Sequence, residues 1–371
     1  MPELPEVETI ARDLRGLVGG ARIRDAACNW PPTLRSHEPA AFAAAVAGRE
    51  IQGVGRRGKQ LLVWLGPRDP AGVDPGPADG PSVLTIHLKM TGQLFVVGAG
   101  IPQDRHVHLV LSLADGRDLR FRDMRKFGRI GLYRRNEATG EPADGEAEGV
   151  LATGAEPLAD EFTARRMGEL LVPRRGRLKT LLLNQDFLAG VGNIYADESL
   201  WRARLHPLRD ALTLKPADVS RLHEALRHVL AEAVRRRGSS IDDYTAPEGD
   251  GSMQEHLQVY QRAGEPCLRC GRPIKRIAFG GRSTHFCSWC QRLPSAQRAA
   301  AARLLRGTDR ALGRRGPRWT ELDGAGAIGR NRSEDERARR VEATRKAAAT
   351  RRAAARAGQP ARTGQPAGGP A

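Results

Sequence analysis

Two places in this 371-residue sequence bring together side chains that do chemistry. The first is its start, MPELPEVETI. Pro2, Glu3, Pro5 and Glu6 suit the first turn of a helix, where proline is tolerated and carboxylates favour the positive end of the dipole. They also suit catalysis: removal of Met1 would leave Pro2 as a terminal secondary amine, a nucleophile with the acid of Glu3 beside it. The second place is Cys267-Leu-Arg-Cys270, then sixteen residues, then Cys287-Ser-Trp-Cys290. That spacing fits a tetrahedral site of four thiolates for one Zn2+, and with no ligand position left open the metal is structural. A disulfide framework is the weaker reading, because no secretory signal is visible and the expected compartment is the cytoplasm. Cys28 stands apart and reads as an inert, half-buried thiol.

The elements that must position these groups fall into blocks. A short helix is expected from Glu6 to about Leu17, followed mainly by strands: KQLLVWL, VLTIHLKMTGQLFVV and HVHLVLSLADGRDLRFRD alternate apolar and polar residues, the last around an Asp115-Gly116 hairpin. A Pro-, Gly- and Asp-rich loop separates the first two, and periodicity fades at RRNEATGEPADGEAEGV, where a linker belongs. Helices follow. Val219, Leu222, Leu226, Val229, Leu230 and Ala233 share one face of a helix that begins near Pro216 and ends before Gly238. Upstream, LKTLLLNQDFLAGVGNIYADESLWRARLHP reads as helix, glycine turn, helix, the second opening near Asn193; Gly192 and Asn193 there could hold a phosphate, although such a turn is also ordinary bundle packing. Between the cysteine pairs a β-hairpin carries Arg282 at its tip. The fold class is therefore multidomain α+β: an N-terminal β-sandwich with an N-terminal helix (1–137), a linker (138–154), a helical domain (155–265), a β-hairpin zinc finger (266–292) and a basic tail (293–371).

Composition narrows the partner. The net charge of +17 points to a polyanion, and nucleic acid fits better than membrane because basic residues are spread along the chain and no apolar run approaches a spanning length. Residues 301–371 hold 17 Lys and Arg against 7 Asp and Glu, so more than half of the excess sits in an Ala-, Arg-, Gly- and Pro-rich tail expected to be disordered.

In this order, MPELPEVET, RRGK, HLKMTG, RDMRKFG, QDFLAGVGNIYADESLW and CLRC...GGRSTHFCSWCQR resemble bacterial formamidopyrimidine-DNA glycosylase from Met1 to about Arg292. The resemblance implies a helix-two-turn-helix in the helical domain, a monomer acting on damaged double-stranded DNA at the nucleoid, and excision of oxidised purines followed by strand cleavage. It implies that Pro2 is the nucleophile, Glu3 the general acid/base and Glu6 a supporting carboxylate. Lys59, His87, Asn193 and Arg282 match groups on the phosphates around the lesion, with Lys59 and Arg282 close to the chemistry. Met90, Arg125 and Phe127 match the residues that fill the gap left by an extruded nucleotide. Lys179 matches a lysine near the lesion, and Ser239, Ser240 and the loop to Met253 match the segment that closes over the everted base. Asp242 and Asp243 in that loop, Met124 beside the wedge and the insertion between Gly66 and Ser82 depart from the pattern. Two rival readings stay open: an endonuclease VIII-like enzyme for oxidised pyrimidines, and a non-catalytic DNA clamp.

Overall fold

The computed structural model describes residues 1–67, 80–143, 149–240 and 251–311, with side chains through 303. Asp242, Asp243, most of the insertion after Gly66 and the chain beyond 311 lie outside the described residues.

The N-terminal half is a sandwich. Helix α1 (Leu4–Val18) leads into β1 (Ile23–Cys28), α2 (Pro39–Val46), β2 (Ile51–Arg57), β3 (Gln60–Leu65), β4 (Ser82–His87), β5 (Gly92–Gly98), β6 (Val107–Leu113), β7 (Arg117–Asp123) and β8 (Arg129–Arg134). The strands form two antiparallel sheets, ordered β1-β6-β7-β5 and β2-β3-β4-β8. Alternation does what it predicts: Leu84, Ile86, Ile130 and Leu132 from one sheet meet Leu109, Leu111, Leu119 and Phe121 from the other in a core closed by Val7, Ile10 and Leu14 of α1. Gly116 takes φ +83° in the β6–β7 turn, as the Asp-Gly signal requires.

The second half is helical: α3 (Ala164–Leu171), α4 (Leu178–Leu183), α5 (Asn193–Arg202) and α6 (Pro216–Arg235). Leu222, Leu226, Val229, Leu230 and Ala233 of α6 are buried in the helical core, with Val219 half-buried at its margin. Strands β9 (Lys275–Phe279) and β10 (Arg282–Phe286) pair through Gly280 and Gly281, whose φ values of +57° and +71° permit the two-residue turn. No helix among the described residues is long and apolar enough to cross a membrane.

Two elements differ from the sequence reading. The Ala-rich segment after Glu38 is helical and buries Phe42 and Val46, although its small residues show little amphipathic pattern. The tail does not begin at 293: α7 (Ser295–Ala311) follows the finger, and Ala301 packs with Leu293, Leu208, Ile277 and Phe286. Alanine's helix propensity, with one apolar contact patch, outweighs the segment's charge.

Candidate active site and nucleic-acid interface

The site is built on helix termini. Glu3 caps α1, its backbone N–H donating to Glu6 Oε2 at 2.8 Å in a capping box, and its carboxylate also reaches the N-terminus of α5. There Ile194 N–H donates to Oε1 at 3.0 Å and Tyr195 N–H to Oε2 at 3.4 Å. The turn preceding α5 is shaped around this carboxylate, since a Cβ on Gly192 would sit 2.2 Å from the Glu3 carboxyl carbon. Glu6 gathers the opposite side: Tyr195 hydroxyl donates to its Oε1 at 2.5 Å, Ser239 N–H at 2.8 Å and Ser239 hydroxyl at 3.2 Å. Gly238 (φ +74°) lies against the same side chain, with no room for a Cβ. Thus α1, α5 and the segment after α6 meet at two buried carboxylates, and Pro2 is buried at their edge next to the exposed Met1.

Electrostatics tune these groups. Burial raises the Glu3 pKa above the usual carboxylate range, opposed by the Lys59 charge and the α5 N–H groups and assisted by Glu6. Lys59, at the β2–β3 turn, is also buried; desolvation lowers its pKa, Glu3 opposes that, and the Arg282 and Lys89 charges add to it. One field therefore couples Glu3, Lys59 and Arg282, although Arg282 is exposed at the tip of the finger hairpin. Charged and neutral forms of Glu3 and Lys59 are brought closer in energy, as proton transfer near neutral pH requires.

His87 ends β4. Its Nδ1 accepts the Lys89 N–H at 3.0 Å, which leaves the proton on Nε2, and burial drives its pKa down to about 3, so it is a neutral donor. Asn193 Oδ1 is buried without a hydrogen-bond partner among the described residues. The phosphate expected at the α5 N-terminus would find two of its N–H groups already taken by Glu3, leaving the Asn193 Nδ2 amide, not its Oδ1, as the side-chain donor there.

The wedge residues stand out of the surface. Met90 is 39 % exposed and Phe127 45 %, with the Arg125 guanidinium 4.9 Å from the Phe127 ring centroid. Beneath them the fully buried Asp123 ties both loops down, accepting the Thr91 hydroxyl, Arg125 N–H at 3.2 Å and Gly128 N–H at 2.7 Å.

Lys179 and the two serines are placed differently from the other candidates. Lys179, 1 % exposed, pairs with Asp197 at 2.6 Å and donates to Ser283 O at 2.8 Å, while Asp197 accepts His285 N–H at 2.8 Å. The pair braces β10, and with it Arg282, against α4 and α5. Ser239 is spent on Glu6, and the Ser240 hydroxyl accepts Gly251 N–H at 3.1 Å, closing the base of the loop.

The four cysteine Sγ atoms lie within 4.8 Å of one another, with Cys270–Cys287 at 3.5 Å and Cys267–Cys290 at 4.0 Å. Tetrahedral thiolates at a Zn–S distance of about 2.3 Å stand about 3.8 Å apart, so the set fits one structural zinc. Zinc held there by Cys267, Cys270, Cys287 and Cys290 would tie the two cysteine turns into the base that carries the Arg282 hairpin.

Sequence reasoning missed Asp123, Asp197 and Glu198, which accepts N–H groups of Gln258, Val259 and Tyr260. The available signal was a pair of acids inside the helix GNIYADESLW, where a solvent face would not need them between aromatic residues.

The chain matches the formamidopyrimidine-DNA glycosylase N-terminal domain over residues 1–130, the H2TH domain of the same enzymes over 153–245, and the zinc finger found in FPG and IleRS over 264–293. It is 45 % identical over 295 residues to a formamidopyrimidine-DNA glycosylase of Symbiobacterium thermophilum, covering 79 % of this chain and 90 % of that one. Against the enzyme of Chloroflexus aurantiacus identity is 46 % over 293 residues, covering 78 % and 98 %. Among solved structures, it superposes on the MutM (FPG) protein of Thermus thermophilus with a TM-score of 0.66 and 41 % identity, covering 79 % of this chain and all of that one. On the Lactococcus lactis Fpg in complex with a DNA containing N7-benzyl-Fapy-dG the TM-score is 0.68 at 33 % identity, covering 78 % and 100 %. Sandwich, helical pair and finger thus agree in order, extent and architecture, and the chain belongs to the formamidopyrimidine-DNA glycosylase family, whose members are DNA glycosylase/AP lyases of base-excision repair.

Proposed function

We propose that this chain excises oxidised purines, 8-oxoguanine and formamidopyrimidines, from duplex DNA and then opens the strand by β,δ-elimination, acting as a monomer in the cytoplasm on nucleoid DNA. The observation that carries the reading is Glu3: a carboxylate 2 % exposed, raised in pKa and aimed from the residue after Pro2. Once Met1 is removed, Pro2 is a secondary amine whose ordinary pKa of about 7.7 to 8.0 leaves a free fraction at neutral pH. Its lone pair attacks C1′ of the extruded nucleotide and the base departs with its bonding electrons. The ammonium so formed gives up its single N–H proton; the freed nitrogen lone pair then expels the sugar ring oxygen, which takes a proton from protonated Glu3 as the ring opens, and an iminium is left at C1′. The iminium acidifies C2′; loss of that proton expels the 3′ phosphate, and a second elimination expels the 5′ phosphate. Lys59 and Arg282 balance the negative charge on the leaving phosphates, with His87 and Asn193 holding the backbone. Met90, Phe127 and Arg125 fill the emptied stack, Glu6 fixes Glu3, and Lys179 holds the Arg282 strand. The proposed limits are 1–137 for the sandwich, 155–265 for the helices and 266–292 for the finger.

Borohydride trapping on a duplex with one 8-oxoguanine opposite cytosine, followed by mass spectrometry of the adduct, tests the reading. It requires an adduct on Pro2 with Met1 absent. Binding without an adduct supports the clamp, and preference for a thymine glycol duplex supports the pyrimidine enzyme.

A further inference from the structure

Next to His87 lies a cleft of about 630 Å³ over the outer face of β4 and β8, and no Asp or Glu is among the described residues lining it. Strand register aligns its floor: Thr85 pairs with Gly131 and His87 with Arg129, all pointing away from the core residues Leu84, Ile86 and Ile130. Arg35, Lys89 and Arg129 converge on this floor. Their charges press on one another, for Lys89 is lowered in pKa by burial and then by Arg129 and Arg35, and Arg129 by burial and then by Arg35. Arg129 donates to Gly128 O at 2.8 Å, which fixes its direction. Lys89 holds φ +54°, the left-handed region that glycine would occupy without strain. A strained, partly desolvated lysine facing two guanidiniums is a poor arrangement for the free protein and a good one for an anion.

We propose that Arg35, Lys89 and Arg129 form a phosphodiester site for the lesion-bearing strand, one nucleotide along from the phosphate at His87. The inference rests on the reading of His87 as a phosphate ligand, because that residue lines both places and sets the direction of the strand. The cleft thus extends the grip on the damaged strand beyond the group of residues around the chemistry and fixes its path before extrusion.

The test is a walk of single methylphosphonate substitutions, which remove one charge at a time, along both strands of a lesion duplex, with binding measured by anisotropy. For the unaltered protein, neutralising the phosphate adjacent to the His87-dependent one should weaken binding about five- to tenfold. Arg35→Gln and Lys89→Asn should each weaken binding to the unmodified duplex, lose most of the sensitivity at that one position, and flatten the plot of log K against log salt by about one unit. Arg35 is exposed and asparagine tolerates the left-handed backbone, so both variants should fold, with unchanged melting curves as the check. Equal losses at every position, no position-specific loss, or a sensitive position only on the opposite strand would overturn the proposal. Trapping by the unaltered protein on the unmodified duplex keeps that failure separate from failure of the glycosylase reading.

Discussion

The pocket around Glu3 and Glu6 and the exposed pair Met90 and Phe127, which the proposed reaction uses together, are built on opposite rules. In the pocket, carboxylate oxygens accept from backbone and side-chain donors about 190 and 230 residues away along the chain, and neighbouring glycines have no space for a methyl group. In the wedge, apolar side chains project into solvent and only the loop backbone beneath them is secured, by Asp123. If the proposed chemistry is right, the pocket joins folding to catalysis, so that damage to one is damage to the other. The proposed wedge would separate them: its side chains are exposed in the free protein, and the role assigned to them needs DNA.

The sharpest way to break this contrast is Glu3→Gln, which keeps shape but cannot supply a proton and turns an amide donor toward the α5 N–H groups. Single-turnover excision should fall about 10²- to 10⁴-fold while lesion binding persists; excision at the unaltered rate would remove Glu3 from the chemistry. Next in size, Asp197→Asn strips the partner from a fully buried lysine and should cost about 3–5 kcal/mol in denaturant unfolding. Adding Lys179→Met should recover part of that loss, because the orphaned charge goes too. A third test uses acid. His206 is buried against Phe286, with ring centroids 4.7 Å apart, and burial pushes its pKa down to about 3. The unfolded chain binds the proton near pH 6.5, so stability is full above that value and falls as pH drops toward 3, by about 2 kcal/mol at pH 5. His206→Gln should flatten this part of the pH–stability curve. The smallest effect on folding belongs to Phe127→Ala: stability should stay within about 0.5 kcal/mol, whereas lesion binding should weaken by about 1–3 kcal/mol, read by titration against an abasic duplex.

The same division explains what could be read in advance. The chemistry read from proline beside glutamate at the start stands as a proposal; the paired C-x-x-C turns carry their chemistry in local spacing and so were legible, as were strands whose alternation matched one buried face. Asp123, Asp197 and Glu198 were not, because an acid in a sequence looks alike whether it faces water or a distant backbone. Helix α7 was missed for a related reason: composition suggests a solvated segment, and only the contact of Ala301 with the finger shows where packing ends.

The buried Arg49 has a consequence for how such a chain can vary. Its guanidinium donates to Gly66 O at 2.9 Å and Gly80 O at 2.7 Å, clasping both ends of the segment inserted between β3 and β4. With the neck closed in this way, doubling the inserted length adds only about 0.6 kcal/mol of closure entropy. The neck is thus a natural port for acquiring new sequence, by evolution or by an engineer who wants a reporter on a repair enzyme, without transmitting strain to β3, which follows Lys59, or to β4, which ends in His87.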